Sequence, residues 1–86
     1  MPEISRFFGI VIKMYHDEHL PPHFHAEYNE YEAVLDVRTL VMIGGDLPSR
    51  VLGMVVEWAS QHREELLDLW GRAADHQSLY KLPPLK

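Results

Sequence analysis

The chain of 86 residues contains no cysteine. This absence excludes disulfide bonds, thiolate metal sites and cysteine nucleophiles, and it fits a reducing compartment such as the cytoplasm. Basic residues are also few, since eight Lys and Arg stand against thirteen Asp and Glu, for a formal charge of −5. The sequence therefore lacks the positive charge that is typical of a dedicated nucleic-acid-binding protein.

Long apolar runs are missing as well. The amino-terminal stretch MPEISRFFGIVIK is too short to span a membrane, and it carries neither a basic leader nor a small-residue cleavage site. We therefore expect a cytoplasmic protein with no signal peptide and no membrane helix. Hydrophobic residues make up 47% of the chain and charged residues 24%. This balance and the short length predict one globular domain over residues 1–86.

The hydrophobic pattern predicts an α+β fold, in which a small antiparallel meander of three or four strands packs against one long carboxy-terminal helix. Apolar and polar residues alternate in the first half of the chain, as expected for strands with one buried face. In the first strand, the alternation places Phe8 on the core face together with Ile10, Ile12 and Met14. The predicted strands cover residues 6–15, 23–28, 31–37 and, as a short fourth strand, 39–43.

An apolar stripe with a period of 3.6 residues predicts one helix over residues 48–74. His62 lies within this stripe, where a lone imidazole is usually a core residue that bonds a backbone carbonyl. A second apolar stripe lies beside the first, so either the extended tail, residues 77–86, folds back over it, or a homodimer or partner protein covers it. The second stripe consists of Leu52, Val56, Ala59, Leu67 and Trp70.

Four of the six histidines are concentrated in the segment YHDEHLPPHFHAEY, residues 15–28. Pro21 and Pro22 cannot donate hydrogen bonds to a sheet, so they predict a loop between the first two strands. The strand after this loop carries His23 and His25 on one face and Phe24 on the opposite, core-facing side.

The simplest strand register gives these histidines neighbours. A two-residue turn at Asn29-Glu30 places His23 opposite Asp36 and His25 opposite Val34. Pairing across the proline loop then sets Tyr15 beside His23 and Lys13 beside His25, on the face that points away from the helix. This register has one unfavourable feature, because it places Glu27 opposite Glu32.

Three interpretations of this polar face remain open. A catalytic site would use His23, His25, Asp36, Tyr15 and Lys13 for metal-independent phosphodiester cleavage: the imidazoles move protons, the aspartate fixes a tautomer, and the lysine stabilises an anionic transition state. A metal site would bind zinc or another transition metal through His19, His23 and His25. In the third interpretation the histidines only shape a surface for protein interaction.

The sequence also resembles a known family. Three stretches carry the resemblance: an opening P-x-I-x-x-F-x-G-I-x-I, then H-x-P-P-H-F-H-A, and W-x-x-x-H-R-E-E-L towards the end. They are similar to the signature of a domain-of-unknown-function family of short bacterial proteins, over residues 1 to about 72. The signature positions that the resemblance implies here are Tyr15, His19, Pro21, Pro22, His23, Phe24, His25, Trp58 and His62.

The resemblance also implies a partner. Members of such families are often encoded beside another short protein, in gene pairs similar to toxin–antitoxin modules. A toxin-like role acting through a small partner protein, with RNA as a target, is the expectation that follows. The acidic balance of the chain fits poorly with an RNA target, because the basic toxins that cleave ribosome-bound RNA must approach a polyanion.

Overall fold

A computed structural model describes residues 3–16 and 19–86 of the chain. The strands form one antiparallel sheet in the order β1-β2-β3-β4-β5. The α+β class is therefore confirmed, but the sheet has five strands where three or four were predicted, and two helices replace the single long helix. The elements are β1 Glu3–Phe7, β2 Ile10–Lys13, β3 His23–Tyr28, β4 Tyr31–Asp36, β5 Met42–Gly45, α1 Ser49–Ser60 and α2 Arg63–Ala74.

The first predicted strand, residues 6–15, is in fact a hairpin. Phe7 pairs with Ile10, and the two residues between them, Phe8 and Gly9, have φ angles of 50° and 79°. Two left-handed residues are the geometry of a tight turn that matches the twist of the flanking strands. The core position predicted for Phe8 is wrong, since its side chain is 61% exposed at the turn.

The second hairpin has the predicted register. In β3 and β4, His23 pairs with Asp36 and His25 with Val34. Asn29 occupies the turn with a φ of 53°, a left-handed conformation that asparagine tolerates better than most residues. The predicted pairing across the proline loop also holds for Lys13 and His25. The predicted loop itself includes residues 17 and 18, which lie outside the described part of the chain.

The last strand begins later than predicted. Residues 39–43 were expected to be extended, but β5 begins at Met42 because a turn intervenes: the Leu40 amide donates to the Asp36 carbonyl at 2.8 Å, and Leu40 has a φ of 60°. The strand also continues past residue 43 and ends at Gly45. The φ of Gly45 is 74°, and a Cβ there would collide with the Glu32 carbonyl, so the strand requires glycine at this position.

The predicted helix over residues 48–74 is interrupted at Gln61 and His62. The amides of both residues donate to carbonyls three positions earlier, on Trp58 and Ala59, which tightens and ends α1. His62 has a φ of −132° and is the N-cap of α2. Two acidic residues follow in the first turn of α2, where negative charge stabilises a helix start.

Both helices and the tail cover one face of the sheet. The tail has no regular secondary structure, and it runs beside β1, where the Leu82 amide donates to the Ile4 carbonyl at 2.7 Å. It also contacts α1, because the Trp58 indole N–H donates to the Pro83 carbonyl at 2.8 Å.

Among residues 3–16 and 19–86, no helix is long and apolar enough to cross a membrane. The largest fully buried side chains are Trp58, Phe24, Ile4, Ile10, Ile12, Met14, Leu35, Leu66, Leu69, Val37 and Val55.

Candidate functional site

The sheet face opposite the helices carries most of the predicted site residues. The antiparallel register aligns Lys13 of β2, His25 of β3 and Val34 of β4 in one row across the sheet. His23 lies two residues before His25 and therefore points to the same side. We call this surface the imidazole face and define it by Lys13, His23, His25, Glu27 and Glu32, to which Tyr15 is added by contact.

His23 is held by its own loop. Its Nδ1 lies 2.8 Å from the Pro21 carbonyl oxygen, and because a carbonyl only accepts, Nδ1 carries the proton in this bond. In the neutral ring, Nε2 is then the nitrogen that can accept a proton. The residue predicted to fix this tautomer was Asp36, whereas the structure shows the proline carbonyl in that position.

Asp36 has a structural task beside the site. It faces His23 in the register, and its Oδ1 accepts the backbone amides of Arg38 at 2.7 Å and Thr39 at 3.1 Å. Only 9% of the residue is exposed. A short acidic side chain that binds the amides two and three residues on is a common way to stabilise a turn, so this carboxylate shapes the β4–β5 connection.

His25 lies between an aromatic ring and a carboxylate. The Tyr15 ring meets it edge-on with 4.7 Å between centroids, and Glu32 Oε2 is 3.8 Å from its Nδ1. The His23 ring is 5.4 Å away on the other side. The side chain of His25 is 15% exposed, so this imidazole is largely enclosed but still reaches the surface.

The charged side chains of the imidazole face offset one another. Lys13 Nζ lies 3.0 Å from Glu27 Oε2, and the hydrogen bond to Glu27 raises the pKa of Lys13, with partial burial acting in the opposite direction. Glu27 and Glu32 are paired across β3 and β4, the repulsive contact that the register predicted. Lys13 on one side and His25 on the other bring positive or titratable groups to this pair, which reduces the repulsion.

Trp70 joins the site from α2. Its ring is 5.0 Å from the His23 ring, so a helix that packs on the core side also reaches the end of the imidazole face. The sequence pattern placed Trp70 only in the second apolar stripe and did not connect it to the histidines. The helical position gave no signal of this contact, because a pattern within one element does not reveal which neighbour it meets.

The other loop histidines form a separate pair. His16 and His76 stack with nearly parallel rings, 5.8 Å between centroids, and His16 Nε2 lies 3.3 Å from the Gln77 carbonyl. His19, predicted as a metal ligand with His23 and His25, is exposed. In the part of the chain that the structure describes, no group of three or more His, Cys, Asp or Glu side chains has the arrangement of a metal site.

His62 belongs to the core side of the sheet. Its ring lies 5.2 Å from the Trp58 ring, its side chain is 12% exposed and its Nδ1 is 3.5 Å from Glu65 Oε2. The predicted partner was a backbone carbonyl, and the structure shows a carboxylate three residues later. His62 thus joins the two helices at their break and lies apart from the imidazole face.

The sequence profile described as Domain of unknown function (DUF4160) matches residues 9–71. The chain belongs to this family. The DUF4160 match runs from the first hairpin turn into α2, so it includes His23, His25, His62 and Trp70. His76 and the tail lie beyond it. No curated protein matches the chain, and no solved structure matches it.

Proposed function

We propose that this DUF4160 chain is the toxin-like component of a two-protein module and that its imidazole face cleaves RNA without a metal ion. The observation that supports this proposal is the pair of rings of His23 and His25, 5.4 Å apart on one face, with His23 held by the Pro21 carbonyl. Two imidazoles at this separation can act as base and acid on the same phosphodiester bond.

The proposed reaction moves two protons. Nε2 of His23 accepts the proton of a ribose 2′-hydroxyl, and the oxygen attacks the adjacent phosphorus. The bond from phosphorus to the 5′-oxygen breaks, and that oxygen takes a proton from protonated His25. The products are a 2′,3′-cyclic phosphate and a 5′-hydroxyl, and exchange with water returns both imidazoles to their starting states.

Other residues of the face have supporting roles in this proposal. Lys13 turns from Glu27 to the phosphate as negative charge develops, since a cation near the phosphorus stabilises the transition state. Tyr15 holds the His25 ring through the edge-on contact at 4.7 Å. Trp70, next to His23, offers a surface on which a base can stack. Stacking matters here because a chain of charge −5 gains little from general attraction to RNA.

An expression experiment tests the proposal. Production of the chain should arrest growth, and co-expression of the neighbouring gene should relieve the arrest. A protein with both His23→Ala and His25→Ala should be harmless at equal abundance. Purified protein should leave 2′,3′-cyclic phosphate ends on RNA in the presence of EDTA. Absence of growth arrest together with absence of cleavage would contradict the proposal.

Metal binding through His19, His23 and His25 is the competing proposal. A His19→Ala variant distinguishes the two proposals. His19→Ala should leave EDTA-resistant cleavage unchanged if the imidazoles act alone. In the metal case, this variant should lose bound zinc, measured by elemental analysis of protein purified without a histidine tag. If the protein shows no cleavage and no bound metal but co-purifies stably with a partner, a role in protein interaction alone is supported.

A further inference from the structure

Gly44 and Gly45 are neighbours in β5, but the backbone requires only one of them to be glycine. Gly45 has a φ of 74°, and a Cβ there would collide with the Glu32 carbonyl. The φ of Gly44 is not left-handed, and the atoms nearest to a Cβ there would be those of the Val34 side chain at 3.8 Å, an ordinary van der Waals distance. A strand glycine weakens its strand because it has no side chain to pack. The backbone therefore gives no reason for glycine at residue 44.

The position of Gly44 belongs to the imidazole face. The β4–β5 register pairs Gly44 with Val34, and the β3–β4 register pairs Val34 with His25. Gly44 therefore continues the row that runs from Lys13 through His25 across the sheet, on the face opposite the helices. We call the surface formed by the half-buried Val34 and Gly44 the Gly44 shelf. It is apolar, and it has no side chain at its outer end.

The neighbours of His25 leave the shelf as the side on which a bound group has room. Towards β2, the Tyr15 ring meets the His25 ring edge-on at 4.7 Å between centroids, and Lys13 occupies the paired position. Glu32 Oε2 is 3.8 Å from His25 Nδ1 and lies on β4, two residues before the shelf. Ligand approach close to the backbone is a recurrent reason for glycine within a strand.

We infer that the Gly44 shelf binds the nucleoside on the 3′ side of the cleaved phosphate, an inference that rests on the proposed RNA chemistry. In that reaction His25 gives its proton to the 5′-oxygen of the leaving nucleoside, so this nucleoside lies next to His25. The nucleoside with the attacking 2′-hydroxyl lies at His23, where the Trp70 ring is 5.0 Å away. The two nucleosides thus contact opposite ends of the site.

This arrangement defines the class of substrate. In a duplex the bases of neighbouring nucleotides are stacked and paired, whereas two nucleosides on separate protein surfaces must be unstacked, as in single-stranded RNA. The flat face of a ribose or a base can lie on the Gly44 shelf and bury apolar surface there. A side chain at residue 44 would occupy the same space. The shelf therefore determines whether the enzyme accepts a nucleoside as the leaving group.

Two substrates that differ only in the leaving group test the inference. One is an RNA dinucleotide, and the other is the same 5′ nucleoside as its 3′-methyl phosphate, which has no second nucleoside. Gly44→Val fills the shelf with a residue that suits strands, so its melting temperature should not fall. The ratio of kcat/KM for the dinucleotide to kcat/KM for the methyl ester should fall by about tenfold or more relative to wild type, mainly through KM.

Two further variants control for general effects of the substitution. Gly44→Ala adds only a Cβ, which meets Val34 at an ordinary distance, so it should lower the same ratio less than Gly44→Val does. Gly53→Ala is the remote control, since a Cβ there meets nothing within 4 Å, and it should keep the wild-type ratio. A wild-type protein that cleaves RNA while Gly44→Val keeps the wild-type ratio would overturn the shelf and leave the proposed function standing.

Binding of a 2′-deoxy dinucleotide, which has no attacking hydroxyl, separates the shelf from catalysis. In wild-type protein the backbone amide signals of Val34 and Gly44 should shift during an NMR titration, and Gly44→Val should weaken binding. If wild-type protein cleaves nothing but binds the dinucleotide in this Gly44-dependent way, the proposed function fails and the shelf remains a nucleotide-binding surface. If it neither cleaves RNA nor binds the dinucleotide, both are overturned.

Discussion

The two faces of the sheet carry opposite chemistry on neighbouring residues of the same strands. Phe24 is fully buried against the helices, while His23 and His25, one position away on either side, lie on the imidazole face. The core face supplies the apolar burial that stabilises a domain of this size. The imidazole face contributes contacts between polar and titratable groups. The site can therefore be altered with little effect on folding, because the fold depends on the other set of alternating residues.

The largest expected effect separates the two faces within one strand. Phe24→Ala removes a fully buried ring that packs 6.2 Å from the Trp58 ring, and we expect a loss of about 3–5 kcal/mol in the free energy of unfolding. His25→Ala, the neighbouring change on the imidazole face, should cost less than about 1.5 kcal/mol. Urea denaturation measures both. If both variants lose the same free energy of unfolding, the imidazole face contributes as much to stability as the core face does.

Two glycines differ in whether the backbone tolerates a side chain. Gly45 has a φ of 74°, and a Cβ there would collide with the Glu32 carbonyl, so Gly45→Ala should destabilise the protein by about 1–3 kcal/mol. Gly53→Ala is the matched control, since a Cβ at Gly53 meets nothing within 4 Å. In the helix this change should stabilise by about 0.5–1 kcal/mol. Thermal unfolding of the two variants should therefore shift in opposite directions.

Loss of a contact between the tail and the core should reduce stability less than loss of a core side chain does. Trp58→Phe keeps an aromatic ring but removes the indole N–H that donates to the Pro83 carbonyl at 2.8 Å. We expect a loss of about 1–2 kcal/mol, from the hydrogen bond and from the smaller ring. Tyr80→Phe removes the exposed bond from the Tyr80 hydroxyl to Asp68 and should cost less. If Tyr80→Phe proves the more damaging of the two in urea, the tail is anchored at α2 and not at the core.

The smallest expected effect is a pH dependence on the imidazole face. The hydrogen bond to Glu27 raises the pKa of Lys13 above its usual value of 10.5. The stabilisation from this pair is fully present below the unfolded-state pKa and is lost as the pH rises through the folded-state pKa. Stability should therefore fall on the alkaline side, above about pH 10, and Glu27→Gln should flatten that decline. An identical alkaline decline in Glu27→Gln would assign it to another group.

Turn residues and strand alternation predict one hairpin of this sheet and miss the other. The β3–β4 register was predictable because Asn29 is a recognisable turn residue and because a two-residue turn at Asn29-Glu30 puts Phe24, Ala26, Ala33 and Leu35 on the same face. The β1–β2 hairpin was missed because Phe8, an apolar residue rarely found at positive φ, occupies its turn. The alternation of apolar and polar residues continues across this turn, so the sequence pattern does not show that the chain reverses direction there.

Three further features of the structure were not predicted from the sequence: the helix break, the contact of Trp70 and the role of the Pro21 carbonyl. The break at His62 lies inside a continuous apolar stripe, so periodicity alone favoured one helix, although the acidic pair after His62 is a helix-start signal that was available. The contact of Trp70 with His23 joins residues distant in the chain, and the role of the Pro21 carbonyl depends on how the proline loop folds. Neither follows from the spacing of residue types within one element.

The two short hairpin turns also constrain how this chain can change in length. Phe8-Gly9 and Asn29-Glu30 each leave directly paired residues on either side, so they fix which side chains face the helices. One residue inserted in β3 would exchange the two sides of the strand beyond it, and an imidazole would enter the core in place of Phe24. The described residues between β2 and β3, 14–16 and 19–22, belong to no strand, so this restriction does not apply to them. Relatives that differ in length are therefore expected to differ there, next to His23, and to keep both hairpin turns at their present size.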